Sequence, residues 1–371
     1  MRFSRLLAII AAFAAVLAIV LPLGLSGEDI IRTWDATLVL AYLGISLLTI
    51  VLFVFHLPPL ASGLLAALGG AVAILALGYF DSASIGYWLL LVHAWLLAWA
   101  FAEQFSNRIA RGDTRHAWAS LLIPIMFGAA ILVAWEAVTR GGNVPKVLLP
   151  APSVIWARIA GNLPILAADF TQTFLKAVLA GYVIGNAIGL AIAIAIDRSP
   201  FLKRGLLPIG SFVSALPLVG IAPIMVMWFG FDWQSKAAVV VIMTFFPMLV
   251  NAVAGLNVSI PMERDLMRSY ASSYWQTLFK LRLPAAAPFI FNALKINSTL
   301  ALIGAIVAEF FGTPVVGMGF RISTAVGRMD IDLVWAEIAV SALAGSVFYG
   351  VVALIERAVT FWHPSVRGGE T

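Results

Sequence analysis

Long apolar runs separated by short polar connections fill most of the chain. About ten such runs are present, and they cover residues 6–25, 37–55, 60–80, 85–103, 119–138, 173–196, 207–230, 236–257, 286–311 and 337–360. A helix needs roughly 20 apolar residues to cross the hydrocarbon core of a bilayer. None of the runs shows the apolar–polar alternation of a membrane β-barrel, so the pattern predicts an all-α integral membrane protein with about ten transmembrane helices.

The first apolar run has two interpretations. It follows Arg2 and Arg5, as the apolar core of a signal peptide would. However, it is longer than the usual core of about 7–15 residues, and no small-residue cleavage site precedes Glu28. We therefore favour a retained membrane helix.

The composition excludes a soluble enzyme. Hydrophobic residues make up 62% of the 371 residues and charged residues only 11%, whereas soluble domains carry about 25% charged residues. The net charge of +5 lies in short loops between apolar runs, which fits membrane topology and not nucleic-acid binding. With no cysteine in the chain, disulfides, thiolate metal sites and cysteine nucleophiles are excluded.

The basic residues also predict the orientation. With the N-terminus inside the cell, the inner segments contain about twice as many Lys and Arg residues as the outer segments. We therefore expect a multi-pass protein of a bacterial-type inner membrane with both termini cytoplasmic.

The connections divide the chain into regions. Residues 1–103 are predicted to form four helices joined by tight turns, and residues 104–118 a basic cytoplasmic linker. Residues 119–363 contain six further spans with longer loops, and residues 364–371 form a cytoplasmic tail. No internal repeat relates the two parts, which argues against a secondary transporter built from inverted repeats.

The most informative segment is the predicted cytoplasmic loop at residues 258–284. It is longer than a simple turn requires, and five of its apolar residues follow helical spacing: Leu266, Tyr270, Tyr274, Leu278 and Leu281. We expect an amphipathic helix that lies on the membrane surface or docks into a groove of another protein. Pro284 is expected to end this helix and to allow a new transmembrane helix to begin.

This loop resembles the E-A-A-x-x-x-G-x9-I-x-L-P loop of binding-protein-dependent ABC importer permeases. In an alignment on Leu283-Pro284, Asp265 takes the Glu place, Ala271 the Gly place and Leu281 the Ile place. The run from Tyr274 to Gln276 resembles the S/R-x-W-Q of the nitrate, taurine and aliphatic-sulfonate branch. Three flanking segments are also similar to that branch: Leu149-Pro-Ala-Pro-Ser153, Asp197-Arg-Ser-Pro200, and Ala308-Glu309 with Gly317-Met-Gly319.

The resemblance covers about residues 119–363 and implies a type I ABC importer permease core of six helices, preceded by four extra helices. It implies a second copy of the chain as partner, a cytoplasmic ABC ATPase dimer, an extracytoplasmic solute-binding protein and membrane lipid. It also implies that Asp265 through Lys280 form the coupling helix. The residues expected to couple to the ATPase are Arg264, Asp265, Arg268, Ala271, Tyr274, Trp275, Gln276, Lys280 and Pro284. Because alanine favours helix over glycine by about 1 kcal/mol, Ala271 is expected to make this helix firmer.

The chain carries no nucleotide site of its own. A phosphate-binding loop needs G-x-x-x-x-G-K-[ST], and none of the six lysines follows a glycine. We therefore expect no cofactor on this chain, with ATP and Mg²⁺ on the partner ATPase. No catalytic or metal-binding constellation is expected either.

Polar residues and prolines inside the predicted spans mark a candidate translocation pathway, because such residues are costly in lipid. Lys176 is expected to snorkel to the interface, and Lys295 to act structurally or to bind an anion. Glu309 is expected to act as a cap, to pair with Arg321 or Arg328 of the following loop, or to act as a gate. Asn297, Ser298 and Asn186 are expected to bond neighbouring helices. The pathway residues proposed from the sequence are Pro217, Met225, Lys295, Asn297 and Glu309.

Prolines mark the seventh span. Pro208, Pro217 and Pro223 would break this helix, which is tolerated only against protein or a water-filled cavity. We therefore expect the seventh span to line the pathway.

Three functions are compared. The first is the permease subunit of an ATP-driven importer for a small solute: a sulfonate, taurine, nitrate or bicarbonate, or a heterocycle such as a thiamine pyrimidine or riboflavin. The second is an ion-coupled secondary transporter or channel that works without an ATPase. The third, a membrane-bound enzyme, lacks a candidate site.

Overall fold

A computed structural model provides the structure, which describes residues 2–53, 57–112, 119–199, 201–202, 204–206, 208, 217–312 and 316–362. The chain separates into two compact units, Met1–Ala157 and Arg158–Thr371. Parts of the predicted linker (113–118) and the whole predicted tail (364–371) lie outside the described residues, as does Gly210.

The first unit is a helical bundle with a small sheet. Its elements are α1 (Arg2–Val20), β1 (Gly24–Ser26), β2 (Asp29–Ile31), α2 (Thr37–Leu52), α3 (Pro59–Ala76), β3 (Ser82–Ala83), α4 (Ile85–Ala110) and α5 (Ala119–Gly141). The three antiparallel strands are ordered β2-β1-β3, with Gly24 opposite both Ile31 and Ala83. Since α4 continues to Ala110, it includes the first seven residues of the predicted linker, 104–110.

A buried histidine joins three helices of this unit. His93 on α4 is fully buried. Its Nδ1 donates to the carbonyl oxygen of Ala11 on α1 at 2.8 Å, and its Nε2 accepts from the Ser46 hydroxyl of α2 at 2.9 Å. Both ring nitrogens are therefore satisfied, which is what a core histidine requires.

Helix α6 (Pro152–Gly161) crosses the boundary between the units, and the second unit contains the remaining elements. These are α7 (Leu163–Arg198), α8 (Leu218–Phe229), α9 (Trp233–Leu256), α10 (Pro261–Ser269), α11 (Tyr274–Glu309), α12 (Met318–Gly327) and α13 (Ile331–Val359). Two of these helices contain π-helical segments, Thr171–Val178 in α7 and Leu278–Arg282 in α11. Helix α9 packs against both α7 and α11.

Three glycines spaced by four residues allow α7 to approach α9 closely. A Cβ atom at Gly181, Gly185 or Gly189 would lie within 3 Å of a backbone oxygen of α9. Their spacing by four in the sequence predicts close helix packing, and the structure confirms it. The same pattern is known from membrane helices in general, where small residues let backbones approach.

The fold class predicted from the apolar runs is confirmed. Eight of the described helices are long and apolar enough to cross a membrane. The second and seventh runs correspond to the shorter apolar helices Thr37–Leu52 and Leu218–Phe229. The chain is thus a multi-pass, all-α membrane protein.

The predicted helix boundary at Pro284 is wrong. Helix α11 begins at Tyr274 and continues through Pro284 to Glu309. Proline lacks a backbone donor and disturbs regular α-helical bonding. Here the residues just before it, Leu278–Arg282, adopt π-helical spacing, and the helix continues.

Candidate functional site

The loop between α9 and α11 contains a short helix, α10, whose side chains are not buried in the hydrophobic core. Pro261 occupies the first turn of α10, where a missing N–H costs nothing, and the Glu263 carboxylate accepts from the Ile260 N–H at 3.1 Å. None of the residues Pro261–Ser269 is buried. Such a helix is stabilised by its ends and is available to a partner.

The end of α10 depends on Ala271, and the expectation that Ala271 firms a continuous helix is wrong. Ala271 has φ +52°, in the left-handed region. Its N–H donates to the carbonyl oxygen of Arg268 at 2.9 Å, and the Ser272 N–H donates to that of Met267 at 3.0 Å. This is a Schellman cap, whose left-handed position glycine normally fills. Ala271 stands where the E-A-A-x-x-x-G motif has glycine, and the left-handed conformation of this position at the end of a helix explains why the motif has glycine there.

Replacing Ala271 with glycine should stabilise the end of α10. A left-handed conformation costs a residue with a Cβ atom about 1–2 kcal/mol, so Ala271→Gly should lower the rate of amide hydrogen exchange in α10. The matched control is Ser269→Gly inside the last helical turn, which should raise it, because glycine weakens a helix interior. If glycine has the same effect at both positions, the capping role of Ala271 is wrong.

The predicted apolar stripe is divided between two helices. Met262, Leu266 and Tyr270 lie on or directly after α10 and are 74%, 57% and 77% exposed. Tyr274 and Leu278, in contrast, belong to α11, and Leu278 is fully buried. The exposed stripe thus begins with Met262, which the sequence analysis did not include, and Asp265 through Lys280 do not form one helix.

The charged residues of α10 have different roles from those expected. Arg264 turns back onto the loop and donates to the Ser259 hydroxyl at 2.9 Å and to the Asn257 carbonyl at 3.1 Å. Arg268 and Asp265 form an exposed ion pair at 3.2 Å. Arg264 therefore stabilises the conformation of the loop, whereas the Arg268–Asp265 pair is exposed on its surface.

A buried ion pair anchors this loop to the membrane helices. Asp197 at the end of α7 accepts two hydrogen bonds of 2.6 Å from the guanidinium of Arg282 in α11. Arg282 also donates to the carbonyl oxygen of Leu256, the last residue of α9, at 2.7 and 3.0 Å. The Arg282 side chain therefore connects α11 to the ends of α7 and α9. Sequence reasoning missed both residues as site residues, although the segment containing Asp197 had been noted.

The first turn of α11 is attached to the same anchor. The Tyr274 hydroxyl donates to Asp197 at 3.0 Å, and the Arg198 guanidinium lies 5.6 Å from the Tyr274 ring and 5.9 Å from the Trp275 ring. Trp275 is half-exposed and stacks on Phe279.

Gln276 and Lys280 complete this turn. Gln276 forms a reciprocal capping box with Ser273, at 2.8 and 3.3 Å, which starts α11. Lys280 is exposed. Of the residues predicted to couple, Tyr274 and Gln276 thus fix the helix, while Trp275 and Lys280 are displayed.

The pathway candidates in the spans are mostly engaged with neighbouring helices. The buried Asn297 amide donates to Asn186 of α7 at 2.6 Å and to the Thr244 carbonyl of α9 at 2.7 Å. The prediction that Asn297 bonds a neighbouring helix is confirmed, whereas Ser298 bonds Lys295 of its own helix. Lys295 forms an ion pair with Glu356 at 2.6 Å.

Within the described residues, the seventh span contains the helix Leu218–Phe229; residues 207 and 209–216 of the predicted span lie outside the described part of the chain. Pro217 caps the N-terminus of α8, and Pro223 lies inside it. Met225 is buried among residues of α9 and α11, including Val239 and Ala308. The exposed aromatic side chains at the end of this helix are Trp228 and Phe229.

Glu309 holds the N-terminus of α12. Three successive backbone N–H groups there each find a different acceptor: Gly317 donates to Asp169, Met318 to Thr173 and Gly319 to Glu309, at 2.6, 2.8 and 2.7 Å. Such unpaired amides at a helix start require acceptors. Glu309 also accepts from the Thr173 hydroxyl at 2.8 Å. The A-E…G-x-G segment of the sequence is thus a helix-capping arrangement.

Of the roles predicted for Glu309, capping is confirmed by its bond from the Gly319 N–H, whereas the predicted ion pair with Arg321 is wrong. Arg321 on α12 donates to the buried Asp169 of α7 at 2.7 Å instead. Hydrogen bonding to this carboxylate raises the pKa of Arg321. Sequence reasoning missed Asp169, because its partner lies 152 residues away.

Lys176 begins a chain of hydrogen bonds that leads through Gln172 to Asp232. Lys176 is exposed and donates to Gln172 at 3.0 Å, and Gln172 donates to Asp232 at 2.6 Å, which lowers the pKa of Asp232.

Within the described ranges, no group of three or more His, Cys, Asp or Glu side chains is placed to hold a metal ion. The surface between α9 and α11 is thus an exposed short helix, next to an ion pair that joins α7, α9 and α11.

Comparisons with known proteins identify the family of the chain. Residues 185–361, which include the whole loop, match the family described as "Binding-protein-dependent transport system inner membrane component". The chain is 31% identical over 257 residues, 69% of its length and 95% of the relative, to a riboflavin transport system permease protein of Chloroflexus aurantiacus.

The names of two further relatives contain different solutes. The chain is 30% identical to a formylaminopyrimidine transport permease protein of Halalkalibacterium halodurans, over 65% of this chain and 96% of the relative. It is 28% identical to the taurine transport system permease protein of Escherichia coli, over 64% and 89%. The chain therefore belongs to the family of binding-protein-dependent transport system inner membrane components, the permeases of ABC transporters.

Proposed function

We propose that this permease forms the translocation pathway of an ATP-driven importer and that α10 transmits movement from a separate cytoplasmic ATPase. The observation that carries the proposal is the geometry of the loop. Its exposed apolar stripe of Met262, Leu266 and Tyr270 can enter a groove. The two helices that flank α10 in the chain, α9 and α11, are joined to each other and to α7 by the anchor of Asp197 and Arg282.

A rigid connection is what mechanical coupling requires. Conformational switching in transporters moves packed helices as bodies, so a force applied to α10 must reach several helices together. Arg282, near the start of α11, joins the helix that follows α10 to α7 and α9 by bonding Asp197 and the Leu256 carbonyl at once. ATP and Mg²⁺ would bind to the partner ATPase, and this chain would hold no nucleotide.

The proposed assembly contains two copies of this chain, an ABC ATPase dimer, an extracytoplasmic solute-binding protein and surrounding lipid. The family description itself names binding-protein-dependent transport. The loop that contains α10 and both chain termini would face the cytoplasm, as the distribution of Lys and Arg predicts.

For the solute, we favour a small heterocycle over an anion. Two relatives at 30–31% identity carry riboflavin and formylaminopyrimidine in their names, whereas the taurine and bicarbonate relatives are 28% and 24% identical. Lys295 was the residue that favoured an anion, but its charge is matched by Glu356 at 2.6 Å. Uptake of riboflavin, of a formylaminopyrimidine and of taurine by vesicles containing the assembled transporter distinguishes these solutes.

The coupling role is tested by placing a charge on the exposed stripe. Met262→Glu should prevent a P-loop ATPase from co-purifying with the chain, because a buried unpaired charge is costly at an apolar contact. The matched control is Met329→Glu, since Met329 is 69% exposed and follows α12, beyond the opposite end of α11.

The control variant should retain the ATPase. Equal retention by both variants would contradict the role of α10. A chain that purifies alone and transports solute in liposomes without ATP would support the ion-coupled alternative in place of the importer.

A further inference from the structure

Three carboxyl side chains meet inside the second unit, next to the N-terminus of α12. They come from three different membrane helices: Asp169 from α7, Glu309 from α11 and Glu337 from α13. Their residues are 0%, 2% and 0% exposed. The permease role described above uses Asp169 and Glu309 as caps for α12 but gives Glu337 no task.

The three carboxyl groups differ in the number of hydrogen bonds that they accept. Asp169 accepts from the Gly317 N–H at 2.6 Å and from Arg321 at 2.7 and 3.2 Å. Glu309 accepts from Thr173 and from the Gly319 N–H. In contrast, neither oxygen of Glu337 has a hydrogen-bond donor among the described residues. An ionised carboxylate buried without donors is strongly disfavoured.

The carboxyl group of Glu337 nevertheless lies within hydrogen-bonding reach of that of Asp169. Two ionised carboxylates can only accept, so a bond between them exists only when one carries a proton. Two carboxylates that share a site hold one proton in the same way. Asp169 is stabilised as an anion by three donors, and the proton therefore belongs on Glu337.

We propose that Glu337 and Asp169 form a buried proton-binding site, in which the Glu337 O–H donates to the Asp169 carboxylate. The charge balance supports a single proton. With all three carboxyl groups ionised, three negative charges would face the two cations nearby, Arg321 and Lys236. One bound proton makes the cluster neutral, and the described residues offer no arrangement for a metal ion.

The site has a structural consequence for α12. Asp169 holds both the first amide of α12 and the Arg321 side chain. The charged groups that face Glu337 from the three helices packed against α13 are Asp169 of α7, Glu309 of α11 and Arg321 of α12. Loss of the proton would place a second negative charge beside Asp169 and compete for Arg321. The attachment of α12 should therefore weaken as the pH rises.

The experiment is infrared spectroscopy of the full-length protein in lipid nanodiscs, in H₂O and in D₂O. A protonated carboxyl group has a C=O stretching band separate from that of carboxylates, and the band shifts in D₂O. We expect the wild-type protein to show this band at neutral pH and Glu337→Gln to lack it. Glu356→Gln on the same helix is the matched control and should keep the band, because Glu356 has Lys295 as its partner at 2.6 Å and takes no part in the cluster.

Labelling tests the assignment without any substitution. In wild-type protein, ¹³C-labelled glutamate should shift the band and ¹³C-labelled aspartate should leave it in place. Absence of the band at neutral pH, or its persistence in Glu337→Gln, would overturn the proposal. So would a band that responds to labelled aspartate alone, or one that Na⁺ removes and choline does not, since a metal cation would then occupy the site.

Discussion

Replacing Arg282 with alanine should lower the free energy of unfolding by about 3–5 kcal/mol, the cost of removing one partner from a buried ion pair. The Arg282 and Asp197 side chains are only 11% and 9% exposed. The change would leave the Asp197 carboxylate with the Tyr274 hydroxyl as its donor in this cluster, and the Leu256 carbonyl would lose the donors that Arg282 supplies. Thermal denaturation of the purified variant in nanodiscs measures the loss.

The same variant should separate ATP hydrolysis from transport. Without Arg282, α10 remains folded by its own caps, but the adjoining α11 is no longer bound to α7 and α9 through one side chain. We expect solute uptake to fall much further than the ATPase rate of the assembled complex. Both rates should be measured on the same vesicles.

The matched control is Arg268→Ala in α10. Its partner is Asp265, and the two side chains are 81% and 66% exposed, so the pair contributes only about 0–1 kcal/mol. This variant should unfold like the wild-type protein. An Arg282 variant that is as stable as the Arg268 variant would show that the anchor of Asp197 and Arg282 contributes little.

The membrane helices could be predicted because their pattern is local. Twenty or so apolar residues must satisfy their backbone bonds within one segment, and this holds whatever the rest of the chain does. The glycine spacing of Gly181, Gly185 and Gly189 was equally readable, since every fourth residue lies on one helix face. For the same reason the loop between α9 and α11 could be located, although its detailed structure could not be predicted.

The sequence did not predict where α10 ends and α11 begins within the loop, because these boundaries depend on cap geometry and on contacts with distant residues. Helical spacing continued through residues 266–281, yet Ala271 ends α10 and Ser273 starts α11. Propensity favours alanine within a helix, but here the cap geometry decides.

Long-range partners were hidden for a different reason. Arg282 and Asp197 are 85 residues apart, and Arg321 and Asp169 are 152 apart. Several acidic residues were equally plausible partners for each arginine, as the expected pairing of Glu309 with Arg321 shows. Only the three-dimensional arrangement of α7, α11 and α12 selects among them.

Replacing Gly185 with leucine should prevent α7 from packing against α9. A Cβ atom at this position would lie 2.1 Å from the Thr244 hydroxyl oxygen and 2.9 Å from the Val241 carbonyl oxygen. The backbone atoms there cannot move without shifting α9, so the cost should reach or exceed the upper end of the usual range for overpacking, about 3 kcal/mol. The asparagine contact between Asn186 and Asn297 would be disturbed as well.

Gly350→Leu on α13 provides the matched control, because a Cβ atom there meets no other atom within 4 Å. This variant should keep the wild-type melting temperature or exceed it slightly, since leucine favours helix over glycine. The two proteins should be compared by size-exclusion chromatography and thermal denaturation in the same detergent. Similar elution and melting of both variants would mean that the interface between α7 and α9 is loose enough to accept a large side chain, which the close approach at Gly181 and Gly189 argues against.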